Sequence, residues 1–168
     1  MAKTKKNIFF IYEFGGDPDS DIFHKLKDSI DSKKYNVISN YYAQYSPKEA
    51  LIDLNNYVKT EKIDVVIGLE LGGWLATLLN NRKIKKILVN PTFNPLIEFD
   101  KEEGGFPEYI MNFYKEYIDK LDINEYNYSN TNILLTDKID NEYDEIDTDN
   151  IIYIENPNNI FDSISSLI

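Results

Sequence analysis

The residues best suited to catalytic chemistry lie where a short apolar run meets a glycine-flanked turn. Residues 63–67 are mostly β-branched, which is typical of a strand buried on both faces. They are followed by Gly68-Leu69-Glu70-Leu71-Gly72 and then by a helical pattern from Trp74 to Leu79. Strand, tight turn and helix in this order match the nucleophile elbow, G-x-S-x-G, whose serine attacks a substrate. Glu70 stands at the serine position, so the pattern predicts the frame of a nucleophile site without its hydroxyl.

A second carboxylate follows the first predicted strand, residues 8–12, in the loop that begins Glu13-Phe14-Gly15. This strand is expected beside the one that precedes Glu70, with a spacing of about 4.8 Å and both glutamates at carboxyl ends. Two close carboxylates could share a proton, hold a hard cation or perform acid–base chemistry. In the alternative arrangement, the Glu13 side chain points into solvent.

Composition excludes several classes of function. The chain has 168 residues, suited to one domain spanning 1–168, and a net charge of −11. Such an acidic chain is not expected to bind nucleic acid or an anionic membrane surface. It contains no cysteine and one histidine, which excludes thiol chemistry and a His-rich zinc site. We predict no metal and no cofactor.

No segment approaches the ~20 apolar residues that a membrane-spanning helix needs. The apolar run of residues 8–12 follows lysines but meets Glu13 at once, so it indicates a strand rather than a signal peptide. A cytoplasmic protein is therefore expected.

Strand patterns alternate with helical patterns along the whole chain, which predicts an α/β three-layer sandwich. Ser46-Pro47-Lys48-Glu49 has the spacing of a capping box and predicts a helix start. Residues 96–106 are polar and glycine-containing, and we expect them to be mobile. The sheet is predicted to have mostly parallel strands.

Three stretches together resemble the α/β-hydrolase superfamily and, within it, the small YqiA-like bacterial esterases. They are Ile11 to Gly16 with Pro18 and Ser20, Gly68 to Thr77, and Leu88-Val89-Asn90-Pro91 with Pro95. Members of this family typically have a His-Gly loop after the first strand, a G-S-S-L-G-G elbow and an N-P motif after the following strand. The resemblance implies esterase chemistry and an α/β-hydrolase fold. In that fold we expect six mostly parallel strands in the spatial order 35–40, 8–12, 64–67, 85–89, 131–135, 151–154.

The resemblance also implies where a catalytic triad would lie. Its positions are Glu70 for the nucleophile, Asp137 or Asp140 for the acid, and Asn159 where relatives have a histidine. The remaining histidine, His24, lies in the helix after the first loop and is expected to be solvated. The family's His-Gly loop is replaced near Glu13-Phe14, and the elbow helix begins at Leu71. The candidate ligand-binding residues are Glu13, Phe14, Gly15 and Leu71.

Two functions follow. The first is a catalytically inactive protein that binds a small molecule or a protein partner, in which Glu70 accepts hydrogen bonds from the backbone N–H groups of a former oxyanion hole. The second is a hydrolase of small esters or thioesters that uses Glu70 or another carboxylate.

Overall fold

The sheet has the strand order that the sequence predicts. A computed structural model describes residues 4–101, 105–122, 125–136 and 150–168. Its six strands are β1 (Lys6–Ile11), β2 (Tyr35–Ser39), β3 (Ile63–Leu69), β4 (Lys85–Val89), β5 (Thr131–Leu135) and β6 (Ile151–Tyr153). They are all parallel in the order β2-β1-β3-β4-β5-β6. All the carboxyl ends therefore meet at one edge of the sheet.

Helices cover both faces of the sheet. They are α1 (Asp21–Ser29), α2 (Pro47–Thr60), α3 (Leu71–Thr77), α4 (Pro95–Lys101), α5 (Glu108–Asp119) and α6 (Ile160–Leu167). Helices α1 and α6 pack together on one face, while α2 contacts α3 and α5, and α5 contacts α4. Neighbouring residues of β1 show this division, because Phe10 stacks on Phe23 of α1 and Phe9 meets Tyr57 of α2 edge-on. The α/β three-layer architecture is confirmed.

The predicted start of α2 is also confirmed. Ser46 is the N-cap, and its hydroxyl accepts a hydrogen bond from the Glu49 backbone N–H. Pro47 occupies the first helical position, where its missing N–H leaves no donor unused.

The expectation for residues 96–106 is wrong for the part that forms α4. Asn94 and Pro95 open this helix, since the Asn94 side chain accepts a hydrogen bond from the Leu96 backbone N–H. Phe99 of α4 is buried against other aromatic rings. The partly buried Leu96 also packs against the core, so apolar side chains of α4 hold this part of the segment in place.

One charged residue belongs to the core. Lys86 of β4 is fully buried, and its Nζ donates to the Asn127 carbonyl oxygen at 3.3 Å. Burial, with Arg82 nearby, lowers the pKa of this lysine to about 8.

Candidate functional site

The elbow has the backbone geometry that the sequence predicts. Strand β3 ends at Leu69, α3 begins at Leu71, and Glu70 between them has φ 49° and ψ −113°. A residue with a Cβ adopts this conformation only at a cost in strain, of the kind that clusters at functional sites. The Glu70 N–H donates to the Val89 carbonyl oxygen, and the Glu70 carbonyl oxygen accepts from Thr92. The turn is therefore tied to the loop that follows β4.

Two glycines explain how so tight a turn packs. A Cβ on Gly68 would lie 2.6 Å from the Gly72 carbonyl oxygen, so only hydrogen fits where strand and helix meet. A Cβ on Gly72 would overlap the carbonyl oxygen of Ile11 in β1. The start of α3 thus lies directly on the backbone of the neighbouring strand.

The Glu70 side chain lies at the start of α3. Glu70 makes no side-chain hydrogen bond that caps α3, and the residue is exposed. Hydrogen bonding of its carboxylate to the N–H groups of a former oxyanion hole stays a prediction. An N-cap side chain normally folds over the first turn from an extended backbone, whereas Glu70 has a positive φ.

Glu70 instead lines a small crevice of about 60 Å³ at the carboxyl edge of the sheet. The crevice brings together three of the predicted site residues, Glu70, Phe14 and Leu71. Its other walls come from the segment after β4 and from the chain before α5, and were missed from the sequence: Thr92, Pro95, Phe99 and Phe106. One feature of the sequence could have indicated Phe99. Asn94-Pro95 is a typical helix start, and a helix that begins there contains Phe99 one turn later.

Three phenylalanines make the crevice wall strongly aromatic. The ring centroids of Phe14 and Phe106 lie 4.6 Å apart at 83°, and those of Phe99 and Phe106 lie 4.3 Å apart. Phe99 also meets Tyr114 of α5 edge-on at 4.8 Å. These contacts fix α4 and the chain before α5 against the loop that carries Phe14.

The loop after β1 is held by a network of hydrogen bonds around Gln44. The Gly15 N–H donates to Gln44 Oε1 at 2.6 Å, and Gln44 Nε2 donates to the Gly16 carbonyl oxygen. The Tyr114 hydroxyl donates to the Gln44 carbonyl oxygen at 2.6 Å. Burial raises the pKa of Tyr114, so its hydroxyl remains a donor at neutral pH.

Glu13 begins this loop but does not line the crevice. The strand register pairs Ile11 with Gly68, and Glu13 and Glu70 each lie two residues beyond that pair. One oxygen of Glu13, Oε2, is buried and has no hydrogen-bond partner among the residues that the structure describes. Binding by Glu13 and Gly15 stays a prediction.

Of the other triad positions, the structure describes Asn159 alone, and it lies apart from the crevice. Asn159 is exposed immediately before α6, beyond β6, and β4 and β5 separate β6 from β3. Asp137 and Asp140 lie outside the described residues. His24 is exposed on α1, and its Nε2 lies 2.9 Å from Asp19 Oδ1.

Asn90 of the N-P motif joins the ends of two strands. Its Nδ2 donates to Thr136 Oγ1 at 2.9 Å, and its Oδ1 accepts from the Thr136 N–H at 3.0 Å. With a φ of 42°, it adopts a conformation that asparagine tolerates better than most residues. This motif therefore has a structural role beside the elbow.

Sheet order, elbow and helix placement together define an α/β-hydrolase-like protein. Residues 7–105 match the family model described as an uncharacterised protein family, UPF0227, and the chain belongs to that family. This is the YqiA-like family that the sequence motifs indicated.

Two solved structures are similar in fold. A "Putative hydrolase" from Agrobacterium vitis S4 has a TM-score of 0.67 and 12% sequence identity, covering 98% of this chain and 88% of that one. The esterase EaEST from Exiguobacterium antarcticum has a TM-score of 0.46 and 12% identity, with coverages of 79% and 73%. The comparison with curated proteins gave no match.

Two kinds of feature are absent from the part of the chain that the structure describes. No helix there is long and apolar enough to cross a membrane. The same residues include no group of three or more His, Cys, Asp or Glu side chains placed to hold a metal ion.

Proposed function

We propose that this single-domain, cytoplasmic UPF0227 protein binds a small molecule in the elbow crevice and does not hydrolyse esters by the triad mechanism. The observation that carries the proposal is the elbow itself. The elbow has the strained backbone of a nucleophile elbow, but an exposed carboxylate stands where the hydroxyl nucleophile would be.

The chain also offers no histidine base at this site. A triad needs an imidazole that takes the nucleophile's proton and is oriented by an acid. The one histidine of the sequence, His24, pairs with Asp19 on the α1 side and does not line the crevice.

The crevice favours a particular kind of ligand group. A volume of about 60 Å³ suits a few non-hydrogen atoms rather than a whole drug-sized molecule. The Glu70 carboxylate accepts hydrogen bonds most strongly from charged donors, and aromatic walls add attraction for cations. The proposed ligand therefore presents a small protonated amine or a similar donor group.

A hydrolase that uses Glu70 is the second candidate function, and the strain at Glu70 favours it. A backbone conformation that costs about 1–3 kcal/mol persists where the surrounding structure enforces it, often at catalytic sites. In such a hydrolase the Glu70 carboxylate would attack the ester carbonyl, break the bond to the alcohol oxygen and form a mixed anhydride, while the alcohol leaves with a proton from solvent. A second group would activate water, which hydrolyses the anhydride, releases the carboxylic acid and restores Glu70.

One pair of assays separates the two functions. Short-chain esters and thioesters are tested with the wild type and with Glu70→Gln. We expect no turnover above the uncatalysed rate, and turnover that disappears in Glu70→Gln would overturn the binding proposal. Binding is measured by ligand-observed NMR with methylammonium and acetate as probes.

We expect methylammonium to bind the wild type, to bind Glu70→Gln more weakly, and to bind the control Glu61→Gln unchanged. Glu61 is an exposed glutamate at the end of α2. Equal binding by the two variants would contradict the role of Glu70.

A further inference from the structure

A second cavity lies on the opposite side of the sheet. Helices α1 and α6 enclose about 250 Å³ against the carboxyl ends of β1, β3 and β4. Among the residues that the structure describes, twelve line this cavity; ten are apolar, and the other two are Asn90 and Thr136. Phe10 and Ile67 form the floor from the strands, and Ile22, Ile160 and Ile164 contribute from the helices.

This cavity is distinct from the elbow crevice, since the two share no lining residue. Leu69 contributes to the cavity, while the next residue, Glu70, contributes to the crevice. Consecutive residues at the end of a strand point to opposite faces of the sheet. A ligand in one site is therefore not in contact with a ligand in the other.

The lining sets the charge of an occupant. None of the twelve residues carries a charge. An ion moved from water into such a cavity would lose its hydration without gaining a counter-charge, which costs several kcal/mol. An apolar occupant gains about 25 cal/mol for each Å² that it removes from water. The occupant must therefore be neutral and mainly apolar.

The volume sets the size of that occupant. An apolar cavity of about 150 Å³ holds a benzene molecule, which has six heavy atoms. By proportion, 250 Å³ holds about ten heavy atoms.

The Asn90–Thr136 pair supplies a polar end. Each side chain is already bonded to the other residue, yet the amide keeps one N–H and the threonine hydroxyl keeps its own proton. Both remaining donors suit a ligand that presents a hydroxyl or carbonyl oxygen.

We propose that this cavity is a binding site for an uncharged amphiphile of about ten heavy atoms, such as a medium-chain alcohol. Its chain lies between α1 and α6, and its oxygen accepts a hydrogen bond from Asn90 or Thr136. Ile22, which is 37% exposed, marks the edge of the site.

The first test uses the full-length wild-type chain with ¹³C-labelled isoleucine methyl groups and 1-octanol as the probe. Saturable shifts are expected for Ile22, Ile67, Ile160 and Ile164, all of which line the cavity. Two exposed isoleucines on the other face, Ile52 and Ile97, serve as internal controls and should not move. No saturable shift, or equal shifts in the controls, would overturn the proposal.

The second test compares charge and fit. Octanoate and octylammonium should each bind at least about tenfold more weakly than 1-octanol, which corresponds to 1.4 kcal/mol. Ile22→Trp should weaken 1-octanol binding by at least about tenfold, because the larger side chain fills the edge of the cavity. The matched control Ile52→Trp should leave the affinity unchanged. Equal affinity for charged and neutral chains would refute the assignment, whatever the outcome at Glu70.

Discussion

Replacing Glu70 with glycine should give a more stable protein than replacing it with alanine. Glu70 holds φ 49° and ψ −113°, a region in which a Cβ atom clashes with the backbone and glycine does not. Glu70→Ala removes the carboxylate but keeps the Cβ, so a comparison of Glu70→Gly with Glu70→Ala isolates the backbone strain from every contact of the side chain.

The magnitude follows from two opposing terms. Release of the strain contributes about 1–3 kcal/mol. The extra freedom of glycine in the unfolded chain costs roughly 0.5–1 kcal/mol. Glu70→Gly should therefore be about 1 kcal/mol more stable than Glu70→Ala. For a chain of this length, that difference corresponds to a rise in Tm of roughly 2–4 °C.

Urea unfolding and thermal melts followed by circular dichroism measure this difference. The control pair is Lys25→Gly and Lys25→Ala, at an exposed position inside α1. There, glycine should be the less stable residue by about 1 kcal/mol. If glycine is also the less stable residue at position 70, the elbow is not strained and the reasoning fails.

Two other stability predictions follow from buried contacts. Gly72→Ala should lower the free energy of unfolding by about 3 kcal/mol or more, because its Cβ would overlap the Ile11 carbonyl oxygen. Gly105→Ala, with φ 63° and no atom within 4 Å of a new Cβ, should lower it by only about 1 kcal/mol in the same urea titration. Lys86→Met should raise stability at pH 7 by about 1–2 kcal/mol, because the lowered pKa of about 8 means that the fold disfavours the charged lysine. This gain should shrink in melts as pH rises from about 8 towards the ordinary pKa of 10.5, and a gain that does not change with pH would contradict the pKa assignment.

The sheet could be predicted from sequence because its strands are short apolar runs separated by helical patterns. Parallel strands joined by helices allow few topologies, and the resemblance to the α/β-hydrolases selected the observed order of all six among them. Gly68 and Gly72 also located the elbow, since both are sites where only hydrogen fits.

The crevice could be predicted only in part, because its walls come from distant segments. Phe14 and Phe106 are far apart in sequence, yet their rings lie in contact. The helix that carries Phe99 was not predicted, because polar residues flank Phe99 in the sequence. The exposed position of Glu70 was missed for a different reason. The direction of its side chain depends on the positive φ of its backbone, which residue types alone do not specify.

The glycine contacts at the elbow separate architecture from activity. Gly68 and Gly72 hold the turn through backbone atoms, so its shape does not depend on which side chain occupies position 70. Chemistry at that position can therefore be exchanged, lost or reinstated without rebuilding the fold. In evolutionary terms, the backbone of the elbow can stay the same while the side chain at position 70 changes. Glu70→Ser combined with Asn159→His would test how far this interchangeability extends.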